Sequence, residues 1–291
     1  MTFLQINSQV FMKIKITLIL FALIFSMQTL AWDCAGHRVI GQIAYDQLTP
    51  AVKNKIDALT AVMFHSPYPN ARFLRASTWP DQIKSQTTQY NAWHFIDLPY
   101  VKDDDVKPPT SNVDNVVWAI AHAEKIVSDM SQSPARRAKY LSFLIHFIGD
   151  IHQPLHCTTL YSKQFPEGDR GGNLYLIDSP IAKNLHQFWD EGLGLFYSPP
   201  HLYAFKYNQV EAIAKKWMTQ YPRTFFAKQL SVQSPEQWAL ESHHMATTFV
   251  YTLPMNTAPS QEYIQQGKII VREQSVLAGD RIADVLNRIF G

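Results

Sequence analysis

The chain has 291 residues, 46% hydrophobic and 13% aromatic, which excludes a disordered polymer and allows one large domain or two small ones. Its 26 lysines and arginines barely outnumber its 24 acids, a formal charge of +2. It therefore lacks the basic excess with which proteins grip long nucleic acid through bulk electrostatics.

In chain order, Lys13 and Lys15 precede an apolar run over 16–25, and Thr29-Leu30-Ala31 ends on a small residue. This is the pattern of a secretory signal peptide over 1–31, removed before Trp32, so the protein is expected to be secreted or periplasmic. Its loss takes away both lysines and no acid. The expected mature domain, 32–291, thus carries as many bases as acids and must attract any phosphate locally. No later stretch approaches the length of a membrane span, so no stable membrane association is expected and the mature chain reads as a soluble monomer.

Apolar residues at helical spacing predict a helix over 38–48, continuing after Pro50. A second runs over 112–130, with Val113, Val116, Val117, Ile120 and Ile126 on its apolar side. Ser133-Pro134 opens a strongly apolar helix that runs to about 151 and is stopped by Pro154. Residues 158–180 are rich in Pro, Gly, Asp and Asn and read as a loop with a short hairpin over 174–177. Helices follow over 181–192, 206–220, 235–251 and 261–290. With no repeat and no convincing alternating strand, the fold reads as all-α in a single helical domain.

His146 and Asp150 are four apart on a predicted helix, so both leave one face; His186 and Asp190 repeat the spacing. Such a pair on an ordinary helix is usually a surface or capping pair. Here Leu141, Phe143, Leu144, Ile145, Phe147 and Ile148 surround the first one. A buried carboxylate beside a buried imidazole needs compensation, and a metal supplies it. Zinc prefers these nitrogen and oxygen ligands. His156 follows six residues after Asp150, just past the Pro154 break. His152 reads as a core neighbour rather than a ligand, and His122 as a packed core residue.

Several strings then become specific. Trp32-Asp33-Cys34-Ala35-Gly36-His37 follows the leader, and Leu144-Ile145-His146-Phe147-Ile148-Gly149-Asp150-Ile151-His152-Gln153-Pro154-Leu155-His156 follows much later. With Ser77-Thr78-Trp79-Pro80-Asp81, Trp93-His94-Phe95-Ile96-Asp97, Gly171-Gly172-Asn173 and Leu185-His186-Gln187-Phe188-Trp189-Asp190, the chain resembles the zinc-dependent single-strand-specific nucleases and 3′-nucleotidases. The resemblance spans nearly the whole mature chain, ending with Ala278-Gly279-Asp280-Arg281-Ile282-Ala283.

The resemblance implies about three zinc ions per chain. Asp81, His94, His146 and Asp150 would hold one; His156, His186 and Asp190 a second. The third would take the terminal amine and carbonyl of Trp32, with His37 and a bridging Asp150. It also implies hydrolysis of single-stranded DNA and RNA to 5′-phosphorylated products, and removal of the phosphate from 3′-nucleotides. Asp97 is a candidate for orienting the attacking water, or a loop carboxylate capping a turn. Lys84, one helical turn after Asp81, would stabilise phosphate charge, or is an exposed lysine. Gly172 and Asn173 would meet a base, with Phe95 stacking on it. Many relatives have an acid after this Asn; this chain has Leu174, which leaves the base preference open. Cys34 and Cys157 each flank ligands of one cluster, so a disulfide between them is expected, with free thiols and then a zinc role as the alternatives.

Two other readings compete. A zinc phospholipase C would share the architecture, but there the first histidine lies further from the Trp and the last ligand is usually Glu. A secreted zinc-binding protein without catalysis would need every metal position closed by protein, and the second site has only three protein ligands.

Overall fold

The computed structural model describes residues 32–109, 113–197 and 206–291. The expected leader lies outside them. Helix α1 (Cys34–Asp46) starts at Asp33, whose carboxylate accepts from Cys34 N. Helix α2 (Pro50–Thr60) starts at Thr49, whose hydroxyl accepts from Val52 N, with Pro50 where no N–H is needed. Helix α3 (Pro69–Gln82) follows, then α4 (Val116–Ser128), capped by Asn115, and α5 (Pro134–Asp150), capped by Ser133 as its Ser-Pro start predicts.

Helix α5 is the centre of the domain. Every residue from Leu141 to Asp150 is buried, and a helix apolar nearly all round has to be surrounded. Helices α1, α2, α3, α4 and the long C-terminal helix pack on it. The remaining elements are α6 (Leu185–Asp190), α7 (Tyr207–Gln220), α8 (Pro235–Thr248) and α9 (Gln261–Phe290), with a single turn at Ala227–Leu230. One continuous hydrophobic core joins them, so the molecule is one all-α domain. Among the described residues no helix is long and apolar enough to cross a membrane.

Five local readings change. Helix α3 was not evident because Pro80 lies inside it and Ser77 and Thr78 compete for its backbone. Helix α4 begins at Val116 rather than 112, because the Asn115 side chain accepts from Val117 N and Trp118 N; Val113 is left exposed. The helix expected over 181–192 shortens to α6, since Asn184 caps it by accepting from Gln187 N. The loop over 158–180 contains a strand, β2 (Thr159–Tyr161), paired in parallel with β1 (Pro99–Val101) in the register Pro99↔Thr159, Tyr100↔Leu160 and Val101↔Tyr161. The hairpin expected over 174–177 reduces to one antiparallel bridge, Leu176↔Asn184.

His152 is a core residue. Its Nδ1 donates to Ile148 O at 2.7 Å and its Nε2 accepts from Arg281 Nη1 at 2.9 Å. Burial and the Arg281 charge hold its pKa well below the usual histidine range. His122 is only half-buried and stacks on Trp118 with ring centroids 4.7 Å apart.

Asp280 on α9 is a buried carboxyl that gives a pH prediction. Gln47 Nε2 donates to its Oδ1, while Oδ2 has no described hydrogen-bond partner. Burial raises its pKa to about 6, against the pull of Arg223, 3.5 Å away. A carboxyl raised above its unfolded value binds more protons when folded. Its stabilising contribution is therefore complete below about pH 4 and is lost as pH rises through about 6. D280N, neutral throughout, is expected to flatten this part of the Tm–pH curve. An unchanged slope in D280N would show that Asp280 is not the group responsible.

Candidate metal centre

Helix α5 presents His146 and Asp150 one turn apart, and α6 does the same with His186 and Asp190. Helix α1 brings His37, the end of α3 brings Asp81, and the short turn Asn91–His94 brings His94. His156 comes from the turn Pro154–Cys157. All eight side chains are buried or nearly so.

Their ligand atoms converge in three groups: His37, His146 and Asp150; Asp81, His94 and His146; His156, His186 and Asp190, each within 4.8 Å. His146 Nε2 and His94 Nδ1 are 3.1 Å apart. Asp150 Oδ2 lies 2.8 Å from His94 Nδ1 and 3.3 Å from His146 Nε2; Asp81 Oδ1 lies 3.7 and 3.5 Å from the same atoms. A tetrahedral ion with ligands at 2.0–2.1 Å separates its ligand atoms by about 3.3 Å. The distances from His94 Nδ1 and His146 Nε2 to either carboxylate, 2.8–3.7 Å, bracket that value, as ligands of one ion would. At the second group, Asp190 lies 3.6 Å from His156 Nε2 and 3.3 Å from His186 Nε2. At the third, His37 Nε2 and Asp150 Oδ1 are 3.1 Å apart, yet neither makes a hydrogen bond, and His156 Nε2 makes none either. Buried polar atoms aimed at a common point without bonding each other are the mark of a cation site.

The back of each site is also built. His146 Nδ1 donates to Ser77 O at 2.8 Å, His156 Nδ1 to His94 O at 2.9 Å and His186 Nδ1 to Gly171 O at 2.7 Å. Each bond fixes the tautomer and leaves Nε2 facing inward. Gln153 Nε2 donates to Asp190 Oδ1 at 2.7 Å, a supporting role the sequence reading missed although Gln153 lies inside the quoted string. The rings of His37 and His146 stack at 3.9 Å. Gly149 permits this, since a Cβ there would stand 3.0 Å from His37 Nδ1. Burial alone would lower the pKa of His146, but Asp150 and Asp81 outweigh it and raise it to about 10. Burial works against Asp150 as a carboxylate too, yet His146, His37 and His94 hold its pKa well below the ordinary value.

Trp32 is fully buried; its Nε1 donates to Gly149 O at 3.0 Å and its ring meets Phe196 edge-on at 5.7 Å. Asp33 N donates to Asp190 O at 2.9 Å. The start of the expected mature chain is thus stitched to both α5 and α6. The Cys34–Cys157 disulfide expected beside it is absent. Both cysteines are free, and the buried Cys157 thiol instead donates to Ile151 O at 3.4 Å.

The sites open into a cleft of about 450 Å³, lined in part by Lys84, His94, Phe95, Asp97, His156, Gly171, Asn173 and His186. Lys84 Nζ lies 2.7 Å from Asp81 Oδ1 and is largely buried, so it is no free surface lysine. Asp97 Oδ1 accepts from Thr159 Oγ1, which in turn accepts from Gly171 N at 3.2 Å. Phe95 is 38% exposed. Asn173 Nδ2 is turned inward, donating to Arg170 O at 2.8 Å. Gly172, expected to meet a base, is buried at φ +83° and does not line the cleft as its neighbours Gly171 and Asn173 do. Arg170, Tyr161 and Glu167 also line the cleft and were not singled out from sequence, because none of them belongs to a spacing pattern.

Gly171 has φ +62°, and a Cβ on it would stand 2.6 Å from Leu155 O and 3.3 Å from His186 Nδ1. G171A is expected to destabilise the protein by about 1–3 kcal/mol through backbone strain and to displace His186, read as a lower Tm and reduced metal content. A variant with wild-type Tm and metal content would show that the loop accommodates a side chain.

A family model described as S1/P1 Nuclease matches residues 32–291. The chain belongs to the S1/P1 nuclease family. Among its relatives, Endonuclease 4 of Arabidopsis thaliana is 28% identical over 287 residues, covering 90% of each chain. Nuclease P1 of Penicillium citrinum is 27% identical over 172 residues, 55% of this chain and 57% of its own. Nuclease S1 of Aspergillus oryzae is 25% identical over 176 residues, 57% of this chain and 55% of its own. Membership of the S1/P1 family makes the chain a hydrolase of the nuclease type, and the convergent His/Asp groups of this member are able to bind metal.

Proposed function

We propose that the chain is an exported zinc-dependent phosphoesterase. It cleaves phosphodiesters of single-stranded DNA and RNA to 5′-phosphorylated products and removes the phosphate of 3′-nucleotides, acting as a monomer. The observation that carries this is the placement of the His/Asp groups beside a cleft that also holds Phe95 and the Gly171-Gly172-Asn173 loop. Asp81, His94, His146 and Asp150 would hold one zinc, His156, His186 and Asp190 a second, and the Trp32 terminus, His37 and Asp150 a third. Zinc, when bound, supplies Lewis acidity and brings the pKa of water down to about 7.

The chain's own residues do the rest. Lys84, held by Asp81, offers a positive charge to the reacting phosphate as charge builds on it. Asp97 is the candidate to orient the attacking water, and its bond to Thr159 keeps it in register with the recognition loop. Phe95 offers a ring face to one unstacked base, and Asn173 offers its carbonyl oxygen and its second amide N–H, the first being bonded to Arg170 O. A base held this way has left its stack, which favours single strands over duplex. Leu174 offers no side-chain hydrogen-bond acceptor where many relatives have an acid.

Phosphate release from 3′-AMP, cleavage of a single-stranded oligonucleotide and hydrolysis of phosphatidylcholine, measured side by side on zinc-loaded protein, test the reading. Turnover of both nucleotide substrates supports it. Inactivity on both, or a preference for the lipid, would overturn it.

A further inference from the structure

We propose that Arg170 binds the phosphate next to the one being cut, and so separates polynucleotide substrates from 3′-mononucleotides. The inference rests on the nuclease reading above and adds a specificity-determining contact to it.

Arg170 is exposed and lines the cleft, while Lys84, largely buried, pairs with Asp81 of the ligand groups. The cleft therefore has one cation deep within it and another at its rim. A mononucleotide brings one phosphate, which the deep site takes. A chain brings a second, and the rim cation is placed for it. Within the cleft Lys84 pairs with Asp81; the ion pairs of the other described lysines and arginines lie elsewhere, and none of them involves Arg170.

Its backbone supports a purpose beyond loop closure. Arg170 has φ +57°, a left-handed conformation that a long side chain rarely adopts. The surroundings hold it there from both sides. On one side, buried Asp169 accepts from Leu160 N at 2.9 Å and Tyr251 Oη at 2.8 Å, and Asp169 N donates to Leu160 O. On the other, Gly171 N donates to Thr159 Oγ1 and Gly171 O accepts from His186 Nδ1. Arg170 O itself accepts twice from Asn173, through the backbone N–H at 3.3 Å and the side-chain amide at 2.8 Å. A glycine would meet the same backbone demand without strain. Strain kept by a residue that chemistry alone would justify points to the side chain, and guanidinium is the group suited to phosphate.

The test uses zinc-loaded full-length mature protein and the variants R170A, R170G and R170K. R170G keeps the backbone conformation cheaply and should fold at least as well as wild type. For a single-stranded oligonucleotide, R170A and R170G should raise KM about tenfold with kcat nearly unchanged, and R170K should recover part of the loss. The salt dependence of kcat/KM should become shallower by about 0.7 in log–log slope, the value for one phosphate contact on a single strand. Hydrolysis of 3′-AMP should change by less than about twofold, a difference too small for a lost charged contact. Equal losses on both substrates, or no loss on the oligonucleotide, would overturn the proposal. Should the wild type cleave neither substrate, the nuclease reading fails instead. Binding of a phosphorothioate oligonucleotide then still decides the role of Arg170: weaker binding by R170G supports it, and equal binding refutes it.

Discussion

D150N is expected to lower kcat/KM by about three orders of magnitude, on the scale of removing one preorganised electrostatic group from an active site, and to reduce the metal content with it. Asp150 is the carboxylate that faces histidines of two of the groups. Its Oδ2 faces His94 and His146, and its Oδ1 faces His37. Asparagine has nearly the same shape but no charge, so several buried imidazoles lose their anionic partner together. Steady-state kinetics with metal analysis checks this. Full metal content in D150N, with only a small rate loss, would mean that Asp150 supports the fold and not the ions.

A mature chain that keeps one residue in front of Trp32 is expected to hold about two zinc ions instead of three, and to lose at least about tenfold in activity, as ligand-shell defects do. An α-amine titrates near pH 8 and gives up its proton to a metal; an internal amide does not. Trp32 Nε1 on Gly149 O and Asp33 N on Asp190 O would anchor the extended chain just as well. The fold should therefore survive while one ion is lost. Elemental analysis of the processed and extended forms reads this directly, and three ions in both would exclude the terminal amine as a ligand.

The parts of the site written into local spacing were legible. His146 with Asp150, and His186 with Asp190, are one helical turn apart, and the apolar residues around the first pair announce its burial. His37, Asp81 and His94 came from resemblance, because nothing local says that residues so far apart along the chain will meet. What brings them together is packing on α5, which only the assembled core decides. Helix α3 was hidden by Pro80, yet its second half supplies the Ser77 carbonyl that fixes His146. The β1–β2 pair was hidden by its length, since three-residue strands carry too little alternation to be read. Asn173 was read as aimed wholly at the base, but its amide closes the loop on Arg170. Arg170 itself gave no signal, because a left-handed backbone is expected at glycine or asparagine.

That short parallel ladder has a mechanical consequence. Ile96 N donates to His156 O, Thr159 N to Leu98 O and Lys102 N to Tyr161 O. The segment carrying His94, Phe95 and Asp97 is thereby laced to the segment that leads from His156 towards the Gly171-Gly172-Asn173 loop. The two walls of the cleft cannot part to admit a wider guest without unzipping these bonds. On the function proposed above, deformation would be left to the nucleic acid, and a duplex would be cut only as fast as its own base pairs breathe open.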